Sequence, residues 1–213
     1  MTAKAEGTAK RYDRAYFDRW YRRAGIGTPS EVARVARYVL ATAEHLLERP
    51  ARSVLDVGCG EAAWRQPLLH ERPRLRYVGV DPSGYAVERF GARRNIRLGS
   101  FGDVGQLGLK GPFDVIVCAD VLPYVESAEI RRGLAWIGDN LSGVTYLHAM
   151  TAADSFVGDR RGFIRRTPAT YERLFAAAGL RRIGPHLYAG PALLPSLALL
   201  EGPLGPEVRR SGR

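Results

Sequence analysis

Hydrophobic and polar positions follow two different periods along this chain. From residue 52 onward, short and mostly apolar runs occur at 52–58, 75–81, 94–99, 113–119, 143–150, 180–188 and about 193–201. Between them, at 61–71, 83–91, 126–139 and 168–178, apolar residues recur at the spacing of a helix with one buried face. Runs such as Phe113-Asp114-Val115-Ile116-Val117-Cys118 are nearly continuous in apolar character, which predicts strands covered on both faces, as in a parallel sheet. Strand and helix in alternation predict an α/β fold, a doubly wound sheet of about seven strands with helices on both faces. Only Gly190-Pro191 separates the last two runs, so they are predicted to pair as an antiparallel C-terminal hairpin.

The N-terminal part has a different texture. Residues 11–24, RYDRAYFDRWYRRA, read as a helix rich in arginine and aromatic side chains, broken by Gly25 to Gly27. A second helix opens at Thr28-Pro29-Ser30-Glu31, with Thr28 or Ser30 as cap and an acid in the first turn. Val32, Val35, Ala36, Val39, Leu40, Leu46 and Leu47 give it an apolar stripe, and Pro50 ends it. Tyr12, Tyr16 and Trp20 recur at four-residue spacing and are expected on one helix face. The chain thus divides into a segment 1–29 that begins with disorder over 1–10, one domain over 30–201, and a loose tail over 202–213.

Composition narrows the class. A chain of 213 residues with 46% hydrophobic and 25% charged content suits one globular domain. No apolar run is long enough to span a bilayer, and MTAKAEGTAKRYDR carries no secretory signal, so a soluble cytoplasmic protein is expected. Cys59 and Cys118 lie in or beside core strands and read as buried thiols, so no metal site is expected. The net charge is +10, carried mostly by arginine, with pairs of arginines spread along the chain. Nucleic-acid binding usually needs a clustered basic face, so the spread reads as a solvated surface or a preference for an anionic substrate.

The densest chemical signal is Val54-Leu55-Asp56-Val57-Gly58-Cys59-Gly60, a buried strand entering a glycine turn. Glycine lets the backbone turn tightly and approach a ligand where a Cβ would obstruct it. A second strand, Tyr77-Val78-Gly79-Val80-Asp81, ends in a carboxylate placed to accept hydrogen bonds from ribose hydroxyls. The turn satisfies both G-x-G-x-x-G/A, the dinucleotide pattern, and D/E-x-G-x-G, a methyltransferase pattern. Asp56 favours the second: a carboxylate there would repel a pyrophosphate but attract a sulfonium and an α-amino group. The other reading of Asp56 is a carboxylate that caps the glycine loop.

These residues resemble a known family. Residues 52–125 look like a class I S-adenosylmethionine-dependent methyltransferase, with the Asp56 strand as its first motif and Tyr77-Val78-Gly79-Val80-Asp81-Pro82-Ser83 as its second. Phe113 through Leu122 resembles the fourth motif, and Tyr171-Glu172-Arg173-Leu174-Phe175-Ala176-Ala177-Ala178-Gly179-Leu180 the family's late helix and its turn into the sixth strand. Ala62 stands where the family often has a third glycine, a departure expected to matter little. The resemblance implies a Rossmann-like fold over roughly residues 30–200, S-adenosylmethionine as cofactor and S-adenosylhomocysteine as product. It implies that the turn Gly58-Cys59-Gly60 lines the methionine part with Asp56 near its amino group, and that Asp81 holds the ribose. It further implies that Pro82 lies against the adenine, that Asp103 accepts from the adenine amine with Phe101 or Val104 as apolar contact, and that the Ala119 backbone touches the cofactor. In similar methyltransferases an aromatic leading segment, here with Tyr12 and Trp20, folds over cofactor and substrate as a lid; packing on the sheet or a homodimer contact are the other readings.

Asp120, Tyr124 and His148 are expected around the methyl acceptor, with His148 the candidate general base because imidazole titrates near neutral pH. A packed, hydrogen-bonded histidine is its alternative reading. The arginines of 160–166 follow the fifth strand and read either as solvated or as partners for a carboxylate or phosphate on the substrate. The function expected is methyl transfer to oxygen or nitrogen of a small molecule. The alternatives are an NAD(P)-dependent oxidoreductase on the same fold and an RNA methyltransferase using the basic surface.

Overall fold

The computed structural model describes residues 10–155 and 158–198. The expected tail at 202–213 and nearly all of the disorder expected over 1–10 lie outside the described residues. Seven strands form one sheet: β1 (Ser53–Val57), β2 (Arg76–Asp81), β3 (Ile96–Leu98), β4 (Phe113–Ala119), β5 (Leu141–His148), β6 (Arg181–Gly184) and β7 (Leu187–Ala189). Their order is β3-β2-β1-β4-β5-β7-β6. The first five strands are parallel, and β7 runs antiparallel to both β5 and β6. The chain order reverses between β1 and β4, and a doubly wound sheet binds ligands outside the carboxyl ends of the strands at that point.

Each strand's alternation divides the core into two layers. Val54, Val115, Val117 and Val144 face helix α2 (Pro29–Leu47) and bury Ala36, Val39 and Leu40 against it. Leu55, Val57, Ile116 and Cys118 face the other way, onto Ile130, Leu134 and Ile137 of helix α5 (Ser127–Asn140). Helix α2 opens where its sequence predicts, in a capping box: Glu31 N donates to Thr28 Oγ1, and Thr28 N donates to the Glu31 carboxylate.

Two expectations are corrected. The C-terminal hairpin pairs Arg181–Gly184 with Leu187–Ala189 through a tight turn at Pro185 and His186, where His186 is left-handed at φ 55°. The run from 193 is not a strand over its described part. Leu194–Ser196 forms a 3₁₀ turn, and Pro195 has no N–H to give a ladder. The helix expected over 61–71 begins later, as α3 (Arg65–Glu71), because residues 61–64 form turns with Ala62 left-handed at φ 62°. A non-glycine residue there costs on the order of 1 kcal/mol.

The leading segment is a short helix α1 (Arg14–Phe17) running directly into a π-helical stretch, Asp18–Arg23. Ala24 N donates to Arg19 O, five residues back, and this wider turn shifts the aromatic register by one residue. As a result Tyr21, and not Trp20, follows Tyr12 and Tyr16 toward the sheet edge, where Phe17 of α1 lies beside them. Phe17 is 4% exposed and packs on Tyr85 of helix α4 (Gly84–Arg94) with ring centroids 5.7 Å apart.

Candidate active site

A cleft of about 220 Å³ opens at the carboxyl ends of β1, β2 and β4. Its floor is Gly58, Gly60 and Asp81, one side is Pro82, Ser100 and Phe101, and the other is Ala119, Asp120 and Val121. Tyr12, Tyr16, Phe17 and Tyr21 close it from above. The volume lies below the roughly 300–1,000 Å³ usual for ligand pockets because these aromatics lean into it. Phe17 rests on the glycine loop itself: a Cβ built on Gly60 would meet its Cε1 at 2.9 Å.

Asp81 organises the floor. Gly60 N donates to its Oδ2 at 2.6 Å and Ser83 N to its Oδ1 at 2.8 Å. A carboxylate has about four lone-pair positions, so each oxygen keeps one for a ligand hydroxyl. Burial pushes this carboxyl above the ordinary aspartate range, and the two backbone donors hold it down. Gly58, at φ 74°, leaves the close approach that a backbone-lined floor requires.

Several sequence-predicted residues sit elsewhere. Asp56 is 2% exposed and off the cleft wall, because β1 alternation turns it into the α2 layer, where it accepts from Tyr77 Oη at 2.7 Å. Burial raises its pKa to about 7, with the Tyr77 hydrogen bond opposing and Asp81 adding to the rise. The Cys59 side chain also points into the core, against Gly79, so only its backbone belongs to the turn. Asp103 accepts from Ser100 Oγ at 2.6 Å and does not line the cleft, whereas Phe101 does. Trp20 lies outside the cleft for the register reason given above, and lines a neighbouring cavity instead.

That second cavity, about 80 Å³, shares Tyr16, Tyr21, Asp120 and Tyr124 with the first. Met150 and Phe163 add apolar surface to it. Asp120 stands at the boundary in a left-handed conformation, φ 62°. Its N donates to His148 O at 2.9 Å, and its Oδ1 lies 2.7 Å from His148 Nδ1. His148 is therefore off the walls of both cavities, and Asp120 is the group it presents. Tyr124 donates its hydroxyl to Asp159 O at 2.6 Å, and burial pushes its pKa to about 12, so it stays a phenol near neutral pH. Arg166 is not available to a substrate: it is 5% exposed and donates to Leu122 O, Val125 O and Ser127 Oγ, pinning the Asp120–Tyr124 turn.

His186 had no signal in the sequence, where it falls inside an expected strand. Its ring stacks edge-on to His148 with centroids 4.6 Å apart. The hydrogen bond His148 donates to the Asp120 carboxylate raises the His148 pKa above 6.5, with burial opposing, while burial and the neighbouring His148 lower that of His186. A side-chain nitrogen NMR titration should therefore show His148 releasing its proton at higher pH than His186, and Asp120→Asn should bring the two together. The reverse order would contradict the pairing. Because the fold holds the His148 proton more tightly than the unfolded chain does, its stabilising contribution is full below pH 6.5 and is lost as pH rises through the folded-state value.

Residues 55–142 match the family model described as a methyltransferase domain. No curated protein matches the sequence. Among solved structures, DesVI of Streptomyces venezuelae is similar with a TM-score of 0.64 at 18% identity, over 84% of this chain and 98% of that one. The sugar N-methyltransferase KedS8 of a Streptoalloteichus species is similar with a TM-score of 0.59 at 19% identity, over 89% and 96%. The plantazolicin methyltransferase BamL, solved with a triazolic substrate analogue and S-adenosylhomocysteine, reaches 0.61 at 16% identity, over 77% and 66%. At these identities the likeness establishes the fold. Among the described residues, no cluster of His, Cys, Asp and Glu could hold a metal ion, and no helix is long and apolar enough to cross a membrane.

Proposed function

We propose that this S-adenosylmethionine-dependent methyltransferase methylates a small-molecule acceptor, at oxygen or nitrogen, in the space between the N-terminal aromatics and the Asp120–Tyr124 turn. The observation that carries the reading is the charge of the cleft. Its ionisable carboxylates are Asp81, Asp120 and Glu129, and no lysine or arginine is among the described residues that line it. An acidic lining attracts a cationic sulfonium and α-amino group and repels a diphosphate. That weighs against a nicotinamide dinucleotide.

The residues present fit the cofactor. Gly58 and Gly60 make a floor that a Cβ would fill, Asp81 offers its two remaining acceptor positions to ribose hydroxyls, and Pro82 and Phe101 supply flat apolar contact for a base. When bound, S-adenosylmethionine supplies a methyl group on a positively charged sulfur, already activated for displacement. The protein's contribution is then to position the acceptor and exclude water. Tyr16, Tyr21 and Phe17 form the cover that does so. Asp120 is the group on the shared wall that can take an acceptor proton, and His148 orients it. An anionic acceptor would find no basic side chain among the described residues on either wall, so a neutral or cationic acceptor fits better.

S-adenosylhomocysteine at saturating concentration should raise the melting midpoint by several degrees, since binding at about 100 times Kd adds about 2.7 kcal/mol. NADH should not. A shift with NADH alone would overturn the reading.

A further inference from the structure

Among the described residues Lys10 is the one lysine near the cleft, and its ammonium is enclosed. Nζ lies 3.6 Å from the centre of the Tyr124 ring, 5.2 Å from that of Tyr12 and 5.3 Å from that of Tyr16. It also sits 2.9 Å from Asp159 Oδ2 and 3.3 Å from Arg161 O. The side chains of Lys10 and Asp159 are only 14% and 16% exposed. Three aromatic faces, a carboxylate and a carbonyl around one ammonium make a cation cage, the arrangement that recognises alkylated ammonium groups. Burial lowers the Lys10 pKa even against the Asp159 partner, so the enclosure removes real solvation.

The location gives the cage its meaning. Tyr12, Tyr16 and Tyr124 are also walls of the cofactor cleft, and Asp159 lines the adjoining cavity with Tyr16 and Tyr124. Any ammonium in the cage is therefore beside the donor site. Lys10 belongs to the segment leading into the aromatic cover and has no part in the sheet core.

We propose that this cage is the acceptor site for a cationic amine, and that Lys10 occupies it as a resident stand-in that the substrate amine displaces. The proposal rests on the methyltransferase reading and narrows its acceptor to nitrogen. For transfer, the bound ammonium gives up one proton, for which Asp120 on the shared wall is placed. The freed nitrogen lone pair forms the N–C bond as the S–C bond breaks with its electron pair staying on sulfur. The positive charge passes from sulfur to nitrogen, so the product is again an ammonium of the kind the cage holds.

The test uses tetramethylammonium chloride as probe, against sodium chloride at matched ionic strength, with the full chain saturated in S-adenosylhomocysteine. Lys10→Met removes the resident ammonium and keeps the stem. It should bind tetramethylammonium at least about tenfold more tightly than wild type by calorimetry. Adding Tyr124→Ala to Lys10→Met should abolish that gain, and Lys10→Gln should behave like Lys10→Met. Equal binding by wild type and both Lys10 variants overturns the proposal. So does a loss of S-adenosylhomocysteine affinity in the variants with no gain in ammonium binding, which is what a plain latch between Lys10 and Asp159 would give. Failure of wild type to bind S-adenosylhomocysteine would instead overturn the methyltransferase reading.

Discussion

Asp81→Ala is expected to weaken S-adenosylhomocysteine binding by about 100-fold or more while leaving the sheet intact. Hydrogen bonds to a charged group contribute about 1.5–3 kcal/mol each, and two ribose hydroxyls on one buried carboxylate therefore account for at least about 3 kcal/mol. The variant also frees Gly60 N and Ser83 N, which Asp81 now holds at 2.6 and 2.8 Å, so the glycine loop loses its anchor. Stability should fall less than two lost hydrogen bonds suggest. Burial already disfavours the Asp81 charge, and the alanine removes that cost as well. Calorimetric titration against an unchanged far-ultraviolet dichroism spectrum checks both halves. Asp81→Asn should fall between the two, because it keeps one acceptor oxygen. Wild-type affinity in Asp81→Ala would mean that the ligand does not use this carboxylate.

Gly58→Ala should damage both stability and binding. A Cβ there would lie 2.1 Å from Val121 Cγ2, 3.2 Å from its Cβ and 3.3 Å from its Cγ1, so rotating the valine does not clear the space. The residue is also at φ 74°, a conformation costly for any L side chain. Together the strain and overpacking should cost about 2–4 kcal/mol. They also push Val121, a cleft wall, away from its place. Denaturant melts measure the loss. Adding Val121→Ala should restore part of it, the clash, and leave the backbone strain. Gly84→Ala is the control: no atom lies within 4 Å of a Cβ at Gly84, and it opens helix α4, so it should be neutral or stabilising by up to about 1 kcal/mol. Equal effects of Gly58→Ala and Gly84→Ala would contradict the cradle.

The sheet and the floor of the cleft were readable from the chain because they rest on local rules. Nearly continuous apolar runs become doubly covered strands, and a glycine turn followed by an acid at the next strand end becomes a ligand floor. What escaped reading depends on contacts between distant segments or on small changes of register. Asp56 has the right neighbours in sequence, but strand alternation and the Tyr77 hydroxyl draw it into the core. Trp20 fits a four-residue spacing, yet the π-helical turn puts Tyr21 in its place. His186 reaches His148 only because a left-handed residue makes the β6–β7 turn, and nothing in its local sequence marks that conformation. The Lys10 cage unites residues 10, 12, 16, 124 and 159, a grouping that only the fold creates. Arg166 reads by charge as either solvated or a partner for the substrate, and is by position a buried clasp.

The central claim is that the acidic, glycine-floored cleft under the aromatic cover is the cofactor site. A crystal structure of the chain grown with S-adenosylhomocysteine tests it most directly. The account predicts the ribose hydroxyls on the Asp81 carboxylate, the base beside Pro82 and Phe101, and the sulfur facing the Asp120 wall, with Phe17 moved off Gly60. The ligand bound elsewhere, or the cleft still filled by Phe17 at saturating ligand, would contradict it.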